Sequence, residues 1–318
     1  MSLHPTTCHQ EISKRPYCGR FAPSPTGDLH LGSLMVAVAT ALQAHVAGGH
    51  WLLRIEDVDE TRVVAGSAQR IMHSLQAHGL QWQGEVWIQS QRKARYEQAL
   101  TQLLTQGDAF FCACSRADLP PGGVYPGTCR DGLPEERSGR AYRLRVDDAQ
   151  VAFVDTIQGR TEQDLAKDVG DFIIRRADGL FAYQLAVVLD DADQHITQVV
   201  RGADLLDSTP RQILLQQRLG LEQPDYFHLP LLLGPDGKKL SKRNFSNPLS
   251  DDEPLLGLRL VMALMGHKMP PEIHTVAAFW AWAMAHWDQR LIPRRHSIRL
   301  GHTEPAVILQ QLQQELII

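Results

Sequence analysis

Apolar and polar positions along the chain change rhythm several times, and each change predicts an element. After a polar lead-in, MSLHPTTCHQEISKRP, the run YCGRFAP is short, apolar and closed by proline, the pattern of a strand. PSPTGD supplies turn residues. LHLGSLMVAVATALQAHVAG then carries apolar residues at nearly every core-facing position of a helix, which Gly48 and Gly49 stop. HWLLRIED is a second apolar run. Strand, turn, helix, strand is a βαβ unit, the building block of parallel α/β sheets.

Two helical patterns follow, GSAQRIMHSLQAHGL and QRKARYEQALTQLLTQG. Residues 112–140 differ, being rich in Cys, Pro, Gly and Arg with little periodicity, and they predict an inserted subdomain. Strand-like runs return at DFIIRRADGLFAYQLAVVLDD and HITQVVRG, followed by a helix at STPRQILLQQRLG. YFHLPLLLG leads into the loop GPDGKKLSKRN, and the rest is mainly helical. The expected organisation is a flexible lead-in at 1–16, half of an α/β domain at 17–110, an insert at 111–168, the second half at 169–247 and a helical region at 248–318.

Composition changes this picture little. The chain has 318 residues, 43% hydrophobic and 21% charged, the balance of a globular protein able to bury a real core. A formal charge of −4 does not advertise a nucleic-acid binder, so any such contact rests on a local patch such as Arg290, Arg294, Arg295 and Arg299. No secretory signal precedes the five cysteines, and AAFWAWAMAHW is too short to span a bilayer. A cytoplasmic location is expected, with reduced thiols and no membrane partner.

Three constellations carry chemistry. In PSPTGDLHLGSL, Gly32 at a helix start lets a backbone approach a nucleotide, and free N–H groups there favour phosphate. His30 beside Ser33 can donate to phosphate oxygens as charge moves. In KKLSK, the ammonium groups of Lys238, Lys239 and Lys242 can clamp a splitting triphosphate. No GxxxxGK occurs, so this is not a Walker loop. In the insert, Cys112, Cys114 and Cys129 place three thiols within 18 residues, a spacing that suggests a tetrahedral zinc site, with no histidine between them to complete it.

H-x-G at the start of the first helix, with K-L-S-K roughly 200 residues later, is the double signature of class I aminoacyl-tRNA synthetases. RFAPSPTGDLHLGS, LRIEDVDETR, AYQLAVVLDD and VVRGADLLDSTPRQ resemble the glutamyl-tRNA synthetase branch and occur in its order, across residues 19–243. Two departures stand out: Ser33 replaces the second His of the first motif, and Arg243 follows the lysine motif. The resemblance implies a Rossmann-type parallel-sheet catalytic domain with an inserted zinc-containing subdomain and a short helical C-terminal region. It implies glutamate contacts from Arg20, Phe21, Ala22, Pro23, Ser24, Glu56, Tyr183 and Arg201. ATP contacts are implied for Pro23, His30, Gly32, Ser33, Lys239, Leu240, Ser241 and Lys242, with His30 and Lys242 catalytic. Tyr125 is implied as the fourth ligand of one structural Zn²⁺, and ATP is expected with Mg²⁺.

Only 75 residues follow Arg243, below the roughly 100 of an independent domain, so no anticodon-binding domain is expected. That layout resembles a truncated, glutamyl-tRNA synthetase-like branch that attaches glutamate to queuosine in the anticodon of tRNA(Asp). The expected partners are therefore ATP, L-glutamate and queuosine-bearing tRNA(Asp), with the chain a monomer. Charging of a tRNA 3′ end, or an inactive tRNA-binding paralogue, are the alternative expectations.

Overall fold

In the computed structural model, strand β1 (Cys18–Phe21), helix α1 (Leu31–Val46) and strand β2 (His50–Ile55) form the expected βαβ unit, with Cys18 opposite His50 in a parallel register. The structure describes residues 15–120, 123–239, 249–302 and 307–308. Helix α2 (Ser67–Ala77) leads to a short third parallel strand, β3 (Trp87–Ile88), and to α3 (Lys93–Gln106). Then come β4 (Ala109–Cys112), β5 (Ala141–Leu144), β6 (Gln150–Asp155), β7 (Gly159–Asp164), α4 (Leu165–Asp168) and β8 (Phe172–Arg175). The second half comprises α5 (Tyr183–Asp193), β9 (Gln198–Gly202), α6 (Thr209–Leu219), β10 (Asp225–Leu229) and β11 (Leu231–Leu233). Helices α7 (Pro254–Leu264) and α8 (Val276–His286) and strand β12 (Ser297–Arg299) close the described chain.

Strands β9 and β10 are parallel, and β1 lies beside β9, where the Cys18 and Thr197 amides bond across the seam at 2.9 Å each. The two halves thus meet as one parallel arrangement in the order β3-β2-β1-β9-β10. Side-chain alternation along each strand explains why both faces are covered. Val200 and Phe227 join the core under α1, α7 and α8, while their neighbours Val199 and Tyr226 join the core under α3, α5 and α6. Helix α1 is buried nearly all round, which is why its apolar pattern lacks a polar face.

The segment between the halves makes two structures. Strands β4, β5 and β8 form an antiparallel sheet beside the cysteines. The hairpin β6–β7 instead reaches back to the parallel sheet, where Asp155 at its turn aligns with Tyr226 of β10.

One expectation is corrected. AYQLAVVLDD is not a strand but helix α5, with Leu185 to Asp191 buried without interruption. A continuous apolar run has no period to distinguish the two when every side is covered. Among the described residues, no helix is long and apolar enough to cross a membrane.

Candidate active site

The order of strands reverses between β1 and β9, and in open α/β sheets ligands bind beyond the carboxyl ends of the strands at such a point. Here that place is a cleft of about 320 Å³. Its walls include the segment after β1 (Ala22, Pro23, Ser24), the start of α1 (His30, Gly32, Ser33), and Gly202 and Asp204 after β9. A smaller cleft of about 190 Å³ adjoins it, sharing Ser24 and Thr26 and adding Glu56, Asp59, Phe181 and Tyr183.

His30 caps α1: its Nδ1 accepts from the Ser33 amide at 3.2 Å, and its Nε2 lies 3.1 Å from Ser33 Oγ. The small residue that replaces the second histidine of the motif therefore holds the first one in place. A Cβ on Gly32 would stand 3.2 Å from the imidazole, so glycine leaves the ring its room. Lys239 lines the same cleft and pairs with Asp204. Leu240, Ser241 and Lys242 lie outside the described residues.

Arg20 and Arg201 stand behind the lining, both buried, and they are held in different ways. Arg20 grips Asp191 through Nε (2.9 Å) and a terminal nitrogen (3.3 Å), and its other terminal nitrogen meets the Val200 carbonyl. Asp191 is shared with Arg54, which also donates to Glu56 at 3.1 Å and to Gln194 at 2.7 Å. Burial favours protonated Asp191, but Arg20 and Arg54 outweigh it and hold the carboxyl below its ordinary range. Glu56 shows the reverse balance: burial prevails over Arg54 and Arg20 and raises its pKa.

Arg201 meets neutral groups. It donates from Nε to His228 Nε2 at 2.9 Å, to Thr209 Oγ1 at 2.9 Å and to the Leu205 carbonyl at 3.4 Å. Its remaining terminal nitrogen reaches the Tyr183 hydroxyl at 3.4 Å. Behind His228, Nδ1 lies 2.6 Å from Asp155. Among the described residues, no carboxylate pairs with Arg201. Tyr183 starts α5 and feels the charges of Glu56, Arg201 and Arg20, so the structure brings these four predicted residues together.

Sequence reasoning missed Arg54, Asp191, His228 and Asp155. The available signal was a charged or imidazole group inside an apolar run (WLLRIED, LAVVLDD, YFHLPLLL), where burial demands a partner.

In the insert, Cys112, Cys114 and Cys129 offer sulfurs within 4.8 Å of one another and could hold a metal ion. Cys114 and Cys129 Sγ are 3.7 Å apart, and the Tyr125 hydroxyl lies 3.5 Å from Cys112 Sγ and 3.9 Å from Cys114 Sγ. Arg143 donates to Cys112 Sγ at 3.2 Å and stacks 3.9 Å over the Tyr125 ring. Burial pushes against it, but hydrogen bonds from Tyr125 and Arg143 hold the Cys112 thiol below its ordinary value. Burial and Cys129 push Cys114 up to about 11. Of the predicted surface cluster, Arg290 is tied to Asp288 at 2.8 Å.

Residues 18–120 and 131–256 match the family model of tRNA synthetases class I (E and Q), catalytic domain. A Pseudomonas fluorescens protein named glutamyl-Q tRNA(Asp) synthetase is 52% identical over 89% of this chain and 95% of its own length. A Dechloromonas aromatica protein of the same name is 51% identical over 90% and 98%. Among solved structures, a glutamate tRNA ligase from Elizabethkingia meningosepticum, in complex with its amino acid, superposes with a TM-score of 0.78 and 26% identity, over 95% of this chain and 70% of that one. The chain belongs to the class I tRNA synthetases of the E and Q group and, within them, to the glutamyl-Q tRNA(Asp) synthetase family.

Proposed function

We propose that this chain activates L-glutamate with ATP and transfers it to the queuosine base in the anticodon of tRNA(Asp). The observation that carries the first step is the pair of clefts joined at Ser24. One has a glycine-floored helix start, His30 and Lys239, suited to a nucleotide. The other has Glu56 and Tyr183 in front of Arg201, an anion and a cation suited to an amino acid carrying an ammonium and carboxylates.

An oxygen of the glutamate α-carboxylate attacks the α-phosphorus of ATP; the bond to the β-phosphate oxygen breaks and pyrophosphate leaves. Mg²⁺ accompanies ATP as part of the substrate. His30 and Lys242 stabilise the phosphate charge, aided by Pro23, Gly32, Ser33, Lys239, Leu240 and Ser241. Arg20, Phe21, Ala22, Pro23, Ser24, Glu56, Tyr183 and Arg201 form the glutamate site, with Glu56 facing the ammonium. A hydroxyl of the queuosine cyclopentenediol then attacks the activated carbonyl, and AMP leaves with the bonding electrons. No protein nucleophile is required, so rate comes from positioning and charge stabilisation.

Cys112, Cys114, Cys129 and Tyr125 would hold one structural Zn²⁺. A Zn–S bond of about 2.3 Å sets a tetrahedral S···S edge of about 3.8 Å, and the 3.7 Å sulfur separation suits it. Bound zinc would cross-link the start of the insert, at Cys112 and Cys114, to the Tyr125–Cys129 loop, and Arg143 would offset the charge of the thiolates.

Two assays test the reading. Glutamate-dependent ATP–pyrophosphate exchange checks activation, and its absence would favour an inactive paralogue. Charging of tRNA(Asp) with and without queuosine checks the acceptor: equal charging of both would point to a tRNA 3′ end instead.

A further inference from the structure

We infer that Asp155 and His228 are positioning residues that present Arg201 to a substrate carboxylate as a cation paired with no carboxylate among the described residues; the inference rests on the glutamate-activating reading above. Asp155 accepts from the Ile157 and Gln158 amides at 2.9 Å each and from the His228 amide at 3.0 Å, so its ionised form is well satisfied. An ionised carboxylate only accepts, so at 2.6 Å the proton must reside on His228 Nδ1. Arginine only donates, so at 2.9 Å His228 Nε2 must be the unprotonated nitrogen. Both ends specify the same neutral tautomer. Burial, foremost, lowers the His228 pKa, with Asp155 and Asp204 opposing and Arg201 assisting; Tyr226 stacks against the ring.

The consequence for Arg201 is directional. Its Nε and one terminal nitrogen are anchored to His228, Thr209 and Leu205, which fixes the plane of the guanidinium. The other terminal nitrogen, with two hydrogens, has among the described residues a single hydrogen bond, at 3.4 Å to Tyr183, which lines the smaller cleft. A carboxylate at position 228 would hold the arginine equally well and cancel the charge that the substrate must meet. The imidazole holds it and keeps the Asp155 carboxylate on the far side of the ring, at Nδ1.

The test uses ATP–pyrophosphate exchange by the full chain at varied glutamate and ATP. His228→Gln puts an amide oxygen at the Nε2 place and keeps the acceptor for Arg201. His228→Asn keeps only the donor toward Asp155. A hydrogen bond to a charged group implies a rise in glutamate KM of about ten- to a hundredfold for His228→Asn, against within about threefold for His228→Gln, with ATP KM moved less than about threefold in both. An unchanged glutamate KM in His228→Asn overturns the inference, as does equal damage by the two variants or a matching rise in ATP KM. Should His228→Asn fail to fold, Asp155→Asn carries the same expectation and the same refutation. Exchange by the wild type without these effects sinks the relay alone, whereas no exchange by the wild type sinks the glutamate reading and the relay with it.

Discussion

Arg20 and Arg201 are buried behind the same crevice, one on β1 and one on β9, yet they live in opposite electrostatic worlds. The Arg20 fork is closed on Asp191, itself braced by Arg54, so its charge is spent inside the protein. Arg201 is fixed as firmly, but by an imidazole, a hydroxyl and a carbonyl. The contrast separates two uses of a buried cation. A compensated one builds the wall of a site, and an uncompensated one waits for a ligand to complete it.

The sharpest way to break this comparison is to remove each charge and read stability and activity separately. Arg20→Met strips a bidentate partner from Asp191 and is expected to cost about 3–5 kcal/mol, read from the urea midpoint. Arg201→Met leaves no buried anion behind, so stability without substrate should change by less than about 1 kcal/mol or rise. The same variant should lose at least about a hundredfold in glutamate-dependent exchange. A large stability loss at Arg201, or none at Arg20, would erase the distinction.

A second effect concerns pH. Asp191 has a depressed folded pKa, so its stabilisation is present above the unfolded value and is lost as pH falls through the folded one. Glu56 has a raised folded pKa, and the ammonium-binding role proposed for it requires its ionised form. Glutamate KM should therefore rise on acidification at a higher pH than an ordinary glutamate would dictate, before Asp191 begins to protonate. Glu56→Gln should remove this limb and raise KM at neutral pH; a limb that survives the substitution would assign it elsewhere. The smallest expected effect is Tyr183→Phe, which deletes one 3.4 Å contact to Arg201 and should cost about 1 kcal/mol in glutamate kcat/KM.

How much of this was legible beforehand divides along physical lines. The opening βαβ unit was clear because strand and helix periods differ and proline and glycine punctuate them. Helix α5 was misread because burial on every side erased its period. Residues that line the two clefts (His30, Gly32, Glu56, Tyr183) fall within short motifs. Residues that face other residues were not: Asp191 lies 171 positions from Arg20, and Asp155 lies 73 from His228. Local order along the chain carries no mark of such pairings. The three cysteines were easy for the opposite reason, since their spacing is short and their chemistry narrow.

That difference in span has a consequence for synthesis. Chains are made from the N-terminus, and contacts between distant residues form late because a long loop must close first. The thiol cluster, complete by Cys129, can assemble while most of the second half is still unmade. The crevice cannot. Arg20 stays without its anion until Asp191 emerges, and Arg201 lacks its imidazole anchor until His228 docks on Asp155. An unfinished chain therefore has no formed substrate site, and competence arrives only when the tenth strand seats beside the ninth.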